Sequence, residues 1–292
     1  MGQFIYKKHF GQHFLKRFPT NFLWTNNQVF NLANKHNIKD IVLIEIGPGA
    51  GAVTDRLISL AQKLQEKGLN VFVYLIEIDN DLIPILKEKY QNYSNVKIYN
   101  SNVLDVNLVD LLKEQFSTDS GLILGIIGSL PYNLSKKIIK WSIKQSAILL
   151  DYFKDIYFLD YRFIIQKEVA QDYVSLPPHA DFLGTFLRMF TKDNPQILAY
   201  LKQKDFSPPP KVESAVLSFL LDPNKLKKYQ DLKIVAEHIR AFFNYKKKTL
   251  GKITKRVEDL NQYKPVVEQL GIDKKRPVQL DLKEWFELFK KD

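Results

Sequence analysis

Two stretches of the chain carry residue types that could do chemistry. The first, Gly128-Ser129-Leu130-Pro131-Tyr132-Asn133-Leu134-Ser135, follows an apolar run from Leu122 to Ile127 that reads as a buried strand. A Pro-Tyr turn at a strand's C-terminal end exposes backbone carbonyls and presents one aromatic face, the means to grip a flat base by its amino group. A plain surface turn with its Tyr packed inward would carry the same letters. The second stretch is Gly47-Pro48-Gly49-Ala50-Gly51, after the nearly all-apolar run Ile41 to Ile46 and before a helical spacing from Val53 to Lys67. Strand, glycine turn and helix let a backbone approach a nucleotide-like ligand at a helix N-terminus.

Glu77 ends a second apolar run, Val71 to Ile76, with Asp79 two residues on. An acidic side chain at that strand tip can accept both ribose hydroxyls of an adenosine. The glycines are spaced G-x-G-x-G and follow the acidic Glu45. That pattern points away from a dinucleotide and toward S-adenosylmethionine. Asn102, just past a third strand at Val96 to Ser101, stands where a side-chain oxygen could accept from the cofactor's adenine amine, although a turn-forming Asn has the same letter.

The elements needed to position these residues alternate. Helices are expected at Asn26 to His36, Leu82 to Tyr90 and Leu108 to Phe116, between the strands already given. Such alternation means a doubly wound α/β sheet, which binds ligands beyond the carboxyl ends of its strands. Gly47, Glu77, Asn102 and Ser129 would then share one edge. Ser135 is expected to cap a helix bearing Lys136, Lys137, Lys140 and Lys144. Further strands are expected from Ile156 to Ile165, near Ile197 to Leu201, and at Ala215 to Leu220. The last follows a rigid turn at Phe206-Ser207-Pro208-Pro209-Pro210-Lys211-Val212 and is expected to pair antiparallel.

Near Asp222-Pro223 the pattern becomes helical only, with helices expected at Leu232 to Phe243, Thr249 to Val257, Lys264 to Leu270 and Leu282 to Phe289. Lys246, Lys247, Lys248, Lys252, Lys255 and Arg256 cluster there, and Lys274, Lys275 and Arg276 form a second basic group. Two domains are expected, residues 1–222 and 223–292.

Composition limits the function classes. The 292 residues include 43 Lys and Arg against 32 Asp and Glu, a net charge of +11 that favours a polyanionic partner, nucleic acid first. With no cysteine, disulfides and cysteine-ligated metal sites are excluded. No apolar run approaches the roughly 18 residues of a membrane span, and Met1 to Phe14 lacks a signal peptide's apolar stretch. A cytoplasmic protein is expected.

The chain resembles the ribosomal RNA adenine dimethyltransferase family over nearly its full length. The resemblance is carried by Gly11-Gln12-His13-Phe14-Leu15, Glu45 to Gly51, Glu77-Ile78-Asp79, Leu130 to Ser135, Gln166 to Gln171 and Phe206 to Val216. Phe243 to Leu250 and Leu270 to Pro277 complete it and look like the small-subunit branch. The resemblance implies a Rossmann-like class I methyltransferase sheet with a small C-terminal all-helical, RNA-binding domain. It implies N6-dimethylation of two neighbouring adenosines near the 3′ end of small-subunit ribosomal RNA, with S-adenosylmethionine as methyl donor. The implied partner is that RNA within the immature small subunit, met by a monomer with no membrane attachment.

Carried over by resemblance, His13 and Leu15 contact the cofactor, Gly47 and Gly49 make room for its methionine part, Glu77 binds its ribose, and Asn102 lies beside its adenine. Ser129, Leu130 and Pro131 form the catalytic turn, where Ser129 also borders the cofactor, and Tyr132 and Phe206 hold the target adenine between two rings. Two residues depart from the family pattern, Asn102 where Asp is usual and Ser129 where Asn is usual. The hydroxyl of Ser129 reaches less far than an amide, so a slowed enzyme is expected. The alternatives are a non-catalytic RNA-binding assembly factor with the same fold and a methylase of large-subunit RNA.

Overall fold

The computed structural model describes residues 13–19 and 21–289. In chain order the first elements are β1 (Phe14–Leu15), α1 (Asn26–His36), β2 (Asp40–Ile46), α2 (Ala52–Gln65), β3 (Asn70–Glu77), α3 (Leu82–Tyr90), β4 (Val96–Asn100), α4 (Leu108–Leu112), β5 (Gly121–Ser129) and α5 (Ser135–Tyr152). They are followed by β6 (Asp155–Phe158), β7 (Tyr161–Gln166), α6 (Lys167–Val174), α7 (Phe182–Arg188), β8 (Gln196–Leu201), β9 (Phe206–Ser207), β10 (Ser214–Phe219) and α8 (Pro223–Leu226). The last helices are α9 (Tyr229–Phe243), α10 (Leu250–Arg256), α11 (Lys264–Gln269) and α12 (Leu282–Leu288).

The main sheet runs β4-β3-β2-β5-β7-β10-β8, with β6 paired to the first half of β5. Strands β2 to β7 pair in parallel, and β10 is antiparallel to both β7 and β8, as the sequence led us to expect. Strands β2 and β5 are buried along almost their whole length, which is why they read as near-continuous apolar runs. Register then decides the site. Ile46 lies opposite both Ile76 and Gly128, so Gly47, Glu77 and Ser129 emerge in one row at the carboxyl edge.

The single strand expected from Ile156 to Ile165 is two, β6 and β7, with Leu159 and Asp160 between them. Asp160 is held there by its partners. Its carboxylate accepts from Arg162 Nε (2.6 Å), Ser218 Oγ (2.7 Å) and Trp24 Nε1 (3.0 Å). The Arg162 guanidinium in turn donates to the carbonyls of Asn21 and Leu23, tying the entry to α1 onto the sheet.

The chain forms two compact units, residues 1–170 with 196–227, and residues 171–195 with 228–292. The expected single boundary at 222/223 differs from this in two ways. Helix α8 belongs to the first unit, and the segment 171–195 belongs to the second. The reason for the latter is packing. Phe182 meets Phe243 edge-on, Phe190 lies against Tyr229, and the Ala180 amide donates to the Val278 carbonyl (3.1 Å). The second unit is centred on aromatic residues, with Trp285 stacked on Phe243 and Phe289. Among the described residues no helix is long and apolar enough to cross a membrane.

Candidate active site

The glycine turn is built for close approach. Gly47, Gly49 and Gly51 all have positive φ (+66°, +58° and +85°), a region that side chains with a Cβ rarely adopt. A Cβ at Gly47 would meet nothing nearer than the Ser129 carbonyl oxygen at 3.9 Å, so the backbone there borders open space. A Cβ at Gly49 would fall 2.5 Å from the Phe14 ring, which means the ring of the N-terminal segment lies directly over the turn.

Glu77 ends β3 and is only 5% exposed. One oxygen accepts from the Gly49 amide (3.1 Å) and the other from the Asp79 amide (2.9 Å). Burial raises its pKa above the usual carboxylate range, opposed by those backbone bonds. Glu45, 1% exposed, accepts from the Thr54 hydroxyl (2.6 Å), yet burial still pushes its pKa from 4.5 up to about 8. A buried carboxyl that is largely protonated near neutrality therefore sits beneath the turn.

Around the end of β5 the chain turns on Pro131, whose carbonyl accepts from the amides of Leu134 and Ser135. The expected Ser135 cap is replaced by a different arrangement. Leu134 is the capping residue without a side-chain bond, and Ser135 lies buried in the first turn with its hydroxyl donating to the Tyr132 carbonyl (3.2 Å). This fixes the Pro131-Tyr132 backbone. The Tyr132 hydroxyl pairs with Ser214 Oγ at 2.7 Å, and its ring stacks near that of His13 with centroids 6.0 Å apart. The Lys136, Lys137 and Lys144 side chains are exposed along α5.

A two-stranded ribbon completes the site. Strand β1 pairs antiparallel with β9, Phe14 opposite Ser207 and Leu15 opposite Phe206. His13 Nδ1 donates to the Pro208 carbonyl (2.8 Å), and because that oxygen can only accept, Nδ1 carries a proton. Phe206 is 1% exposed and packs in the core cluster while one side of it lines the site.

These pieces enclose one cleft, whose empty space of about 830 Å³ includes its open mouth. His13, Leu15, Gly47, Gly49, Glu77, Ser129, Leu130, Pro131, Tyr132 and Phe206 all line it. Asn102 does not. Its side-chain oxygen accepts from the Leu104 amide (3.2 Å) and its nitrogen donates to Asp105 (3.1 Å), capping a 3₁₀ turn at Val103–Asp105. Phe14 and Ile78 line the cleft without having been singled out in the sequence. Phe14 stands between His13 and Leu15 in a motif already noticed, and Ile78, 44% exposed, is an apolar side chain left at a strand tip where burial would be usual.

The model of the ribosomal RNA adenine dimethylase family matches residues 6–290. The chain is 31% identical over 284 residues to ribosomal RNA small subunit methyltransferase A of Marinobacter nauticus, covering 95% of this chain and 91% of that protein. It is 30% identical over 287 residues to the protein of the same name from Mycoplasma capricolum, covering 97% and 96%. Among solved structures, a dimethyladenosine transferase from Plasmodium falciparum shares the fold with a TM-score of 0.65 at 23% identity, over 94% of this chain and 96% of that one. The 23S rRNA methyltransferase ErmE does so with a TM-score of 0.59 at 18% identity, over 92% and 98%. The chain belongs to the ribosomal RNA adenine dimethylase family.

Proposed function

We propose that the protein transfers methyl groups from S-adenosylmethionine to N6 of two adjacent adenosines near the 3′ end of small-subunit ribosomal RNA during ribosome assembly, and acts as a cytoplasmic monomer. The observation that carries this reading is a cleft lined both by a nucleotide-binding turn, Gly47 to Gly49 with Glu77, and by the Leu130-Pro131-Tyr132 turn and Phe206. The basic helical unit, residues 171–195 with 228–292, is assigned to RNA contact on its charge.

The residues present fit the cofactor. Open space over Gly47 suits a chain lying against the backbone. The Glu77 carboxylate accepts from backbone amides through both oxygens and, with about four acceptor sites, keeps capacity for a ribose hydroxyl. Ile78 offers an apolar face for the adenine. When bound, S-adenosylmethionine supplies a sulfonium methyl group as the electrophile.

The protein's part is alignment. The N6 lone pair of adenine is delocalised into its ring and must be turned toward the methyl. Ser129 Oγ and the Leu130 carbonyl are the acceptors assigned to the two N6 hydrogens, and Tyr132 the ring on which the target base stacks, repaying about 1–3 kcal/mol of the unstacking cost. No general base is assigned, because the methylated amine, once cationic, is acidic enough to lose its proton to water.

Ser129 is the point on which a second reading turns, that of a non-catalytic assembly factor with the same fold. If its hydroxyl supplies a bond worth about 1.4 kcal/mol less than an amide would, turnover falls roughly tenfold and is not abolished. Purified protein incubated with labelled cofactor and immature small subunits should label the small-subunit RNA, and Ser129→Asn should raise the rate about tenfold. Labelling of large-subunit RNA instead would reassign the substrate. No labelling by either form, with cofactor bound, would reject catalysis.

A further inference from the structure

A second groove lies in the same unit as the cleft, beyond the ribbon. It is lined by Arg17, Phe18, Tyr200, Lys202, Lys204 and Asp205, among others. The ribbon joins the two sites. Leu15 and Phe206, paired with each other, line the cleft. The next amides after β1, those of Lys16 and Arg17, donate to the Asp205 carbonyl at 2.8 and 3.3 Å, and Arg17 and Asp205 line the groove. The groove therefore begins within two residues of the cleft wall.

Its chemistry is basic and aromatic. Among the lining residues named above, three cations face one carboxylate. That carboxylate, Asp205, accepts from the Lys202 backbone amide (2.7 Å) and so serves the local turn. Arg17, Lys202 and Lys204 are exposed. Tyr200 is 58% exposed on β8, the edge strand of the sheet, with its backbone anchored opposite Ala215. The Lys167 ammonium, ion-paired to Glu213 (2.8 Å), lies 5.6 Å from the Tyr200 ring centroid. A large ring held by a rigid strand, left in solvent and bordered by cations, is the arrangement that stacks an unpaired base while the cations meet its phosphates.

We propose that this groove binds single-stranded RNA flanking the target adenosine, with one base stacked on Tyr200 and the phosphodiester backbone against Arg17, Lys202 and Lys204. The proposal rests on the reading that the cleft takes an adenosine of RNA. Charge complementarity chooses the occupant: three cations beside one carboxylate favour a polyanion, and RNA supplies phosphates for them together with a π-face for Tyr200. The ribbon would then place one nucleotide in the cleft and its neighbour in the groove.

The test is direct binding of a fluorescein-labelled single-stranded oligoribonucleotide of about twelve nucleotides, followed by anisotropy across a salt series. Tyr200→Ala should weaken binding about 5- to 150-fold, and Tyr200→Phe should keep it, since the stacking face survives. Arg17→Ala and Lys204→Ala should each lower the magnitude of the log–log salt slope by about 0.7. Lys63→Ala, which removes an equal charge from exposed α2, is the reference. Variants that behave like Lys63→Ala would overturn the groove, and a Tyr200→Ala protein that binds like the parent would overturn the stacked base. Cofactor affinity should be unchanged in all of them. Because the readout needs no turnover, failure of the methyl-transfer reading shows as absent labelling in the assay given above, while failure of the groove shows here.

Discussion

The two walls of the cleft are made in different ways. The wall assigned to the cofactor comes from backbone: three glycines of positive φ, and a carboxylate whose oxygens are already held by amides of the same turns. The wall assigned to the target base comes from side chains of distant segments, Tyr132 after β5 and Phe206 on β9, the first held by its hydroxyl pair with Ser214 and the second by the ribbon with β1. Backbone geometry tolerates almost no change, whereas a side-chain assembly can lose one link and keep the others. The first wall should therefore break abruptly under substitution and the second should degrade by steps.

The sharpest break is expected at Gly49→Ala. Its Cβ would fall 2.5 Å from the Phe14 ring at a φ of +58°, so overpacking and strained backbone add, together about 2–5 kcal/mol. Thermal unfolding should report that loss, and cofactor titration should show affinity down more than tenfold. If the variant binds cofactor like the parent, the turn is not the rigid wall described.

Glu45 makes the next prediction, beneath the same wall. Its folded pKa of about 8 exceeds the unfolded value near 4.5, so the folded state holds a proton that the unfolded state releases between those pH values. The stability this contributes is full below about pH 4.5 and is lost as pH rises through about 8. Denaturant midpoints should fall for the parent between pH 5 and 9, and Glu45→Gln, neutral at every pH, should flatten that decline while keeping a partner for Thr54.

On the other wall, Tyr132→Phe removes the bond to Ser214 and keeps the ring. A loss of about 1 kcal/mol, seen as roughly a fivefold rise in KM for RNA with kcat little changed, is expected. A loss of a hundredfold would mean that the hydroxyl does more than hold the ring. The smallest effect is expected at Asn102→Ala. Its side chain caps the 3₁₀ turn rather than lining the cleft, so stability should drop by about 0.5–2 kcal/mol and cofactor affinity should stay within about threefold.

These contrasts show how far sequence could be read. Helices α1 and α3 were expected at the residues where they occur, because their apolar spacing and ends are local properties. Parallel strands β2, β3 and β5 announced themselves as apolar runs for the same reason. The segment 171–195 was not legible as part of the helical unit, since contacts such as Phe182 with Phe243, Phe190 with Tyr229 and Ala180 with Val278, all between residues distant in sequence, decide its allegiance. Asn102 differs in the opposite sense. Its short amide side chain accepts from the nearest backbone donor, as such residues do beside a turn, a local bond that the strand-end spacing did not reveal.

By itself the sequence determined the glycine turn, the acidic strand tip, the Leu130-Pro131-Tyr132 turn and the family they resemble, because each is a short stretch whose letters constrain its own backbone. Tertiary structure alone decided that these stretches face one another. The registers of β2 against β3 and β5 align three strand ends, and the β1–β9 ribbon carries Phe14, Leu15 and Phe206 to them across nearly two hundred residues. Such pairings are set by which apolar faces can be buried together, a condition met only by the folded chain.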